Sequence, residues 1–124
     1  MIKDIINNID NLSLREGFGK KLAIDIRYLY ENNYLDLIQS IYLFGSCSKG
    51  RETYKSDIDL GIITKKELPR RIKADIRGEL SDPSMNGIET NVVFIVNNNL
   101  DADVRLHAEI LEGIQLYGEE NNGD

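Results

Sequence analysis

The sequence predicts a single α/β (α+β) domain in which helices pack on a small mixed β-sheet. Two observations predict it: short apolar runs that suit buried strands, and longer segments between them in which apolar residues recur at helical spacing. In chain order the predicted elements are helix, strand, strand, helix, strand and helix. This order is typical of a sheet covered by helices.

The first predicted helix begins at Ser13. Ser13 and Glu16 have the spacing of a capping box, in which each side chain satisfies a backbone N–H group of the first turn. Apolar residues then follow at i, i+4 and i+7, namely Leu22, Ile26 and Leu29. Asn32 and Asn33 are expected to end this helix.

The other elements follow from the same patterns. Strands are predicted at residues 41–44, 57–63 and 88–96. A second helix starts at Leu68-Pro69, because proline suits a first helical turn, and runs to about Leu80. A third covers residues 100–113, with Val104, Ala108 and Leu111 on one face.

Strand alternation locates a candidate site. Side chains alternate between the two faces of a strand. One face of the second strand carries Asp57, Asp59, Gly61 and Ile63, and one face of the third carries Glu89, Asn91, Val93 and Ile95. The opposite faces are apolar apart from Thr90. Polar groups confined to one end of one face predict a site at the edge of a core.

Asp57 and Asp59 are candidates to bind a cation. Their Cα atoms are expected roughly 6.6 Å apart, two strand residues, so their carboxylates can converge. Two ionised carboxylates that close together repel each other unless a cation or a proton intervenes. Mg²⁺ takes carboxylate oxygens and keeps water or phosphate as its other ligands. The alternative is a solvated or capping pair, since Asp-x-Asp is a common sequence.

Gly45 and Ser46 precede this pair. Glycine lets the backbone approach a ligand closely, and the turn offers N–H groups and a hydroxyl to an anion. The spacing is not that of a Walker A loop. A phosphate cradle beside a cation site is what phosphoryl transfer requires.

Composition excludes other classes of protein. The 124 residues carry a net charge of −6, so non-specific binding to duplex nucleic acid is not expected. Cys47 is the only cysteine, no apolar run approaches the ~20 residues of a bilayer span, and no signal peptide is evident, which together favour the cytoplasm. A basic cluster is either a solvated helix face or a dock for phosphates or an acidic partner; it comprises Lys65, Lys66, Arg70, Arg71, Lys73 and Arg77.

A family resemblance rests on these residues. Gly45-Ser46, ten intervening residues, and Asp57-Ile58-Asp59 resemble the signature of the nucleotidyltransferase superfamily. Residues 109–118 resemble the end of its small "minimal" members from bacteria and archaea. The resemblance covers residues 41–117 and implies a polymerase-β-like nucleotidyltransferase fold. We therefore expect one domain over residues 1–118 and a disordered tail at 119–124.

The resemblance also implies roles for individual residues. Gly45 and Ser46 would hold the triphosphate of ATP or another NTP, and Asp57 and Asp59 would bind two Mg²⁺ ions. Lys49 stands where the family often has arginine and would help to hold phosphate; the alternative is an exposed loop charge.

The sequence departs from the family at one position. Members usually carry a third carboxylate on a later strand, where this chain has Asn91. An amide can offer an oxygen to a metal but cannot act as a general base. Three interpretations stay open: Glu89, on the same strand face, substitutes; the alignment of this strand is offset; or the enzyme is impaired.

Two functions follow. The first is transfer of a nucleotidyl group, AMP by expectation, to an acceptor hydroxyl. In the resembled family many members act as the antitoxin of a toxin–antitoxin pair beside a helical HEPN-domain protein, some by modifying a tyrosine of the toxin. The second is a binding module that retains nucleotide or partner affinity without turnover. An accidental motif is the remaining alternative, and it predicts no NTP·Mg²⁺ binding.

Overall fold

The computed structural model describes residues 2–12, 14, 17–45, 57–83, 87–97 and 104–118. Its elements are α1 (Ile2–Asp10), α2 (Phe18–Glu31), a 3₁₀ helix (Tyr34–Leu37), β1 (Ser40–Phe44), β2 (Ile58–Thr64), α3 (Arg70–Leu80), β3 (Thr90–Val96), α4 (Val104–Leu111) and β4 (Ile114–Gly118). Ser46 and Lys49, and the predicted tail at residues 119–124, lie outside the described residues.

The four described strands form one mixed sheet in the order β3-β2-β1-β4. β1 is antiparallel to both β2 and β4, and β2 is parallel to β3. The end of β1 and the starts of β2, β3 and β4 therefore meet at one end of the sheet, called here the site end. The mixed sheet with helices packed on it agrees with the predicted fold class.

Helices α1, α2 and α3 cover one face of the sheet, the back face. The three residues predicted to form the buried stripe of α2, Leu22, Ile26 and Leu29, have no exposed surface. They pack in one cluster with Ile58, Leu60 and Ile62 of β2, the strand face predicted to be apolar. The period-2 pattern thus identified correctly which side of β2 faces the main core.

Helix α4 covers the opposite, front face. Ile110 and the half-buried Leu106 pack there against a second cluster formed by Tyr42, Phe44, Ile63 and Ile95. The face that carries Val104, Ala108 and Leu111 is not the packed one: Val104 is 78% exposed and Leu111 40%. Both helix faces carry apolar residues, so local spacing alone could not choose between them.

The start of α2 also differs from the prediction. The helix begins at Phe18, and its N-cap is Gly17, which has a left-handed φ of 91°. No side-chain hydrogen bond caps this end of the helix. The predicted capping-box residues, Ser13 and Glu16, lie outside the described residues. Glycine adopts this conformation at little cost, which lets the chain turn immediately before Phe18. The C-cap is Asn32, as predicted.

Three elements were not predicted: α1, the 3₁₀ helix at Tyr34–Leu37 and β4. Helix α1 buries Ile5 and Ile9, with Ile2 and Ile6 partly buried, so the helical spacing of these isoleucines was the signal that could have revealed it. Strand β4 pairs with β1 across an irregularity between Ile41 and Tyr42.

The basic cluster lies beyond β2 and along α3. Lys73 pairs with Glu67 at 3.0 Å, and the guanidinium carbon of Arg77 lies 4.8 Å from the centre of the Phe94 ring. These contacts fit the interpretation as a solvated helix face. Among the described helices none has the length and apolar character needed to cross a membrane.

Candidate active site

Strand pairing brings the predicted polar residues together at the site end of the front face. Asp59 pairs with Phe44 of β1 on one side and with Asn91 of β3 on the other. Asp57 immediately precedes β2, and alternation places it on the same face as Asp59. The three polar residues thus lie side by side because of the register of two neighbouring strand pairs.

The amide of Asn91 joins the two carboxylates. Its Nδ2 atom lies 3.3 Å from Oδ2 of Asp57 and 3.5 Å from Oδ1 of Asp59, and donates to both. One nitrogen can reach both oxygens only if the carboxylates point to a common position in front of the sheet. The predicted convergence of Asp57 and Asp59 is therefore present in the structure.

The surroundings of Asp59 oppose its ionisation. Burial is the largest cause of a raised pKa for this carboxyl, and the negative charges of Asp57 and Glu109 raise the pKa further. The hydrogen bond from Asn91 acts in the opposite direction. A cation placed between the carboxylates would relieve the repulsion that raises this pKa.

Gly45 makes space for Asp59. Its φ is 77°, a left-handed value that side-chain-bearing residues rarely adopt, and a Cβ atom at this position would overlap the carboxylate of Asp59. The left-handed backbone and the position of Asp59 thus both favour glycine at position 45, before any ligand is considered. Ser46 and Lys49, predicted to bind nucleotide with Gly45, lie outside the described residues.

Glu89 lies at the outer edge of the site. It directly precedes β3, its carbonyl accepts a hydrogen bond of 2.9 Å from the N–H of Ile58, and its side chain is exposed. It lies two residues before Asn91, just outside the strand.

Glu109 was not predicted as a site residue. It belongs to α4, whose Ile110 packs against Gly61: a Cβ atom on Gly61 would lie 2.5 Å from Cγ2 of Ile110. Helix α4 therefore rests directly on β2, two residues from Asp59. Only this tertiary contact brings the charge of Glu109 near Asp59; the sequence pattern of α4 contains no signal for it.

A buried polar network supports the start of β3. Nζ of Lys21 lies 2.6 Å from Oδ1 of Asp25, 2.8 Å from the carbonyl oxygen of Leu80 and 2.9 Å from the hydroxyl of Thr90, which in turn donates to Asp25. Burial is the main cause that raises the pKa of Asp25 to about 6. Thr90, the single polar exception on an apolar strand face, thus has partners, and it is the neighbour of Asn91 in the chain.

A separate cavity of about 1080 Å³ lies away from these residues. Its lining includes Gln39 before β1, Lys65 after β2 and Gly118 at the end of β4, together with residues of α1. These positions mark the end of the sheet opposite to the site end, and the lining includes none of the candidate site residues. The cavity's size therefore does not make it the candidate active site.

The site's donor set fits a hard divalent cation. It offers carboxylate oxygens from Asp57 and Asp59 and, after rotation of the side chain, the amide oxygen of Asn91. Within the described ranges no three His, Cys, Asp or Glu side chains form a metal-binding group. Few protein ligands suit Mg²⁺, which keeps several waters or substrate phosphates in its shell.

Comparison with solved structures supports the fold. A chain of an MntA–HpeT toxin–antitoxin structure with a tyrosine-to-alanine substitution is 26% identical, with a TM-score of 0.55, and the match covers 78% of this chain and 72% of that chain. A chain of a toxin–antitoxin structure with AMP-PNP is 24% identical, with a TM-score of 0.57 and coverage of 79% and 74%. A chain of an MntA–HpeT structure with two aspartate-to-glutamate substitutions is 23% identical, with a TM-score of 0.57. That match covers 78% of this chain and 73% of that chain.

Comparison of sequences identifies the family. No curated protein matches the chain. The family model described as polymerase beta, nucleotidyltransferase matches residues 25–122, most of the sequence. The resemblance stated from Gly45-Ser46 and Asp57-Ile58-Asp59 is thereby confirmed at the level of the family, and the chain belongs to the polymerase beta nucleotidyltransferase family.

Proposed function

We propose that this protein transfers a nucleotidyl group, AMP from ATP, to a hydroxyl group of a partner protein, in a reaction that requires Mg²⁺. The observation that carries the proposal is the convergence of Asp57 and Asp59 beside Gly45. Family membership supports the class of reaction. The assignment of residues to roles rests on the geometry of the site.

Asp57 and Asp59 are the residues that would hold the cation, and Gly45, which lies against Asp59, would contribute to the phosphate site. When bound, Mg²⁺ supplies positive charge that offsets the charge of the triphosphate and favours the ionised acceptor oxygen. Asp59 needs such a partner most, since burial and two neighbouring carboxylates disfavour its ionised form.

The transfer itself is an in-line displacement. The acceptor oxygen forms a bond to the α-phosphorus of ATP, and the bond between this phosphorus and the oxygen bridging to the β-phosphate breaks. Pyrophosphate leaves with the bonding electron pair. The acceptor's proton passes to a carboxylate, for which Glu89 is the proposed general base because Asn91 cannot accept it.

We propose a helical HEPN-type toxin as the partner and an antitoxin role for this chain. The similar chains come from toxin–antitoxin structures, one of them with AMP-PNP, which supports both the partner class and an adenine nucleotide. A hydroxyl-bearing side chain of the toxin, such as a tyrosine, would be the acceptor.

The direct test uses ATP labelled at the α-phosphate, with Mg²⁺, in the presence and absence of the candidate toxin. Label on the toxin that disappears in the Asp57→Ala/Asp59→Ala double variant would support the proposal. Lack of label on every protein, with nucleotide binding that still depends on the two aspartates, would exclude transfer to the toxin.

That second outcome would favour the other candidate function, a binding module without turnover. One observation favours it: position 91 is an amide where a carboxylate was expected, and the amide is used as a hydrogen-bond donor to both aspartates. Formation of pyrophosphate distinguishes the two functions: a transferase releases it in a metal-dependent reaction, and a binding module does not.

A further inference from the structure

The unusual feature of this site is that Asn91 donates to the residues that would bind the cation. Both carboxylates receive an N–H group from the same Nδ2 atom. An amide nitrogen cannot bind a metal ion, and its hydrogens occupy the side of Asp57 and Asp59 from which a cation would be bound. In this orientation of its amide, Asn91 is a hydrogen-bond donor and not a ligand for a cation.

Rotation of the side-chain amide would convert the same residue into a ligand. The amide nitrogen and oxygen of asparagine have nearly the same shape, so a half-turn about the Cβ–Cγ bond exchanges them without moving the backbone. Asn91 is exposed, which leaves room for this rotation. Its backbone is fixed by pairing with Asp59, so the amide oxygen would arrive between the carboxylates.

We propose that Asn91 is a two-state residue: it donates hydrogen bonds to Asp57 and Asp59 in the cation-free protein, and rotates to give its amide oxygen to the bound divalent cation. This inference rests on the proposed cation-dependent function. It assigns to Asn91 a positive role, in place of the loss of function that the missing carboxylate suggests.

The two states explain why an amide suits this position. A carboxylate at position 91 would add a third negative charge beside Asp57 and the half-buried Asp59, where repulsion is already present. Such a site would bind a cation more tightly but would destabilise the cation-free protein. Compared with a carboxylate, asparagine lowers the affinity for the cation and stabilises the protein without a cation. Tight cation binding then depends on the phosphates of the incoming nucleotide.

The test compares Asn91→Asp with Asn97→Asp. Asn97 immediately follows the far end of the same strand, about 20 Å away at 3.3 Å per residue, and its amide donates to Gln39. Asn97→Asp therefore adds the same charge outside the site and is the control for Mn²⁺ affinity. Mn²⁺ binding is measured by calorimetry with and without AMP-PNP. Thermal unfolding is measured in EDTA and with saturating Mn²⁺.

We expect Asn91→Asp to bind Mn²⁺ without nucleotide about tenfold more tightly than the unchanged protein, from the added charge. In EDTA its unfolding midpoint should fall by about 5 °C, and saturating Mn²⁺ should restore it. Asn97→Asp should leave Mn²⁺ affinity unchanged. In the unchanged protein, Mg²⁺ with AMP-PNP should shift the NMR signal of the Asn91 side-chain N–H₂ group. This signal is assigned as the one that is missing from the spectrum of Asn91→Asp.

Two outcomes would overturn the inference. The first starts from loss of cation binding in Asp59→Asn, which would establish the cation site. If Asn91→Asp then binds Mn²⁺ no more tightly than Asn97→Asp, or if the Asn91 signal does not move, Asn91 is not a ligand and the proposed function survives. If the unchanged protein binds neither Mn²⁺ nor Mg²⁺ with AMP-PNP, this inference and the proposed function fail together.

Discussion

Asp59 occupies the space that a side chain at position 45 would need: a Cβ atom on Gly45 would overlap the Asp59 carboxylate. The contact follows from the antiparallel pairing of Phe44 with Asp59, which brings the next residue of the chain over the carboxylate. Gly45 and Asp59 are therefore one structural unit. The Gly-Ser and Asp-x-Asp parts of the motif depend on each other even without a nucleotide.

Substitution of Gly45 by alanine should disrupt this unit. We expect Gly45→Ala to lower the free energy of unfolding by about 2 kcal/mol, because of its left-handed backbone, and to weaken Mn²⁺ binding with AMP-PNP by displacing Asp59. Urea denaturation and calorimetry measure the two effects. Gly78→Ala is the matched control: a Cβ atom there contacts nothing within 4 Å, so it should stabilise α3 by up to about 1 kcal/mol and leave binding unchanged.

Replacement of Glu89 tests the proposed general base. Glu89→Gln keeps the size of the side chain but cannot accept a proton, so nucleotidyl transfer should fall by about 10² to 10⁴ while AMP-PNP binding is retained. Single-turnover transfer of labelled AMP measures the first quantity and calorimetry the second. Glu112→Gln, an exposed position just beyond α4, serves as control. Equal transfer by the two variants would remove Glu89 from the mechanism.

Replacement of Glu109 should change the pH dependence of cation binding. Burial and the charges of Asp57 and Glu109 raise the pKa of Asp59, and protons compete with the cation for this carboxylate. Affinity should therefore fall on acidification at a higher pH than for an ordinary aspartate. Glu109→Gln removes one negative charge and lowers the pKa of Asp59, so the fall should begin at a lower pH. Mn²⁺ titrations between about pH 4 and pH 8 measure the pH at which the affinity falls, with Glu112→Gln as the control. If Glu109→Gln and Glu112→Gln give the same pH profile, the prediction is contradicted.

Asp25 should make the stability of the protein depend on pH. Its pKa is raised from 3.8 to about 6 in the folded state, mainly by burial, so the folded state binds the proton more tightly than the unfolded state. The resulting stabilisation is complete below about pH 4 and is lost as the pH rises through about 6, a change of about 3 kcal/mol. Asp25→Asn should remove this component from the curve of unfolding free energy against pH. Parallel curves for the two proteins would show that Asp25 does not titrate in this range.

Lys21 and Asp25 should be coupled in stability. Each is buried, so removal of either side chain leaves the other in the interior without its ion-pair partner, which typically costs about 3–5 kcal/mol. The Lys21→Met/Asp25→Leu double variant leaves no buried charge, so its loss of stability should be smaller than the sum of the single losses. A double-mutant cycle in urea gives the coupling energy, and additive losses would show that the two residues act independently.

Much of the fold was predictable because it depends on neighbours along the chain. Alternation along β2 distinguished the core-facing Ile58, Leu60 and Ile62 from the site-facing Asp57 and Asp59, and both assignments agree with the structure. The buried stripe of α2 followed from helical spacing in the same way. The isoleucines of α1 have an equally clear helical spacing.

Local patterns failed where two choices were equally consistent with them. Helix α4 has apolar residues on both sides, and the contact between Ile110 and Gly61 decides which side faces the sheet. The opposite side, with Val104, is left exposed. The start of α2 likewise differs from the predicted one, since the helix begins at Phe18, directly after the left-handed turn at Gly17.

By itself the sequence determined the residue types, the family motif and the faces of the strands, since these are set by residues close together in the chain. Only the tertiary structure decided that Asn91 pairs with Asp59, that Glu109 acts on Asp59, and that Lys21 and Asp25 enclose Thr90. These relationships join residues 32 to 69 positions apart. Strand register and helix docking set them, through packing of the whole core, and no local spacing encodes that packing.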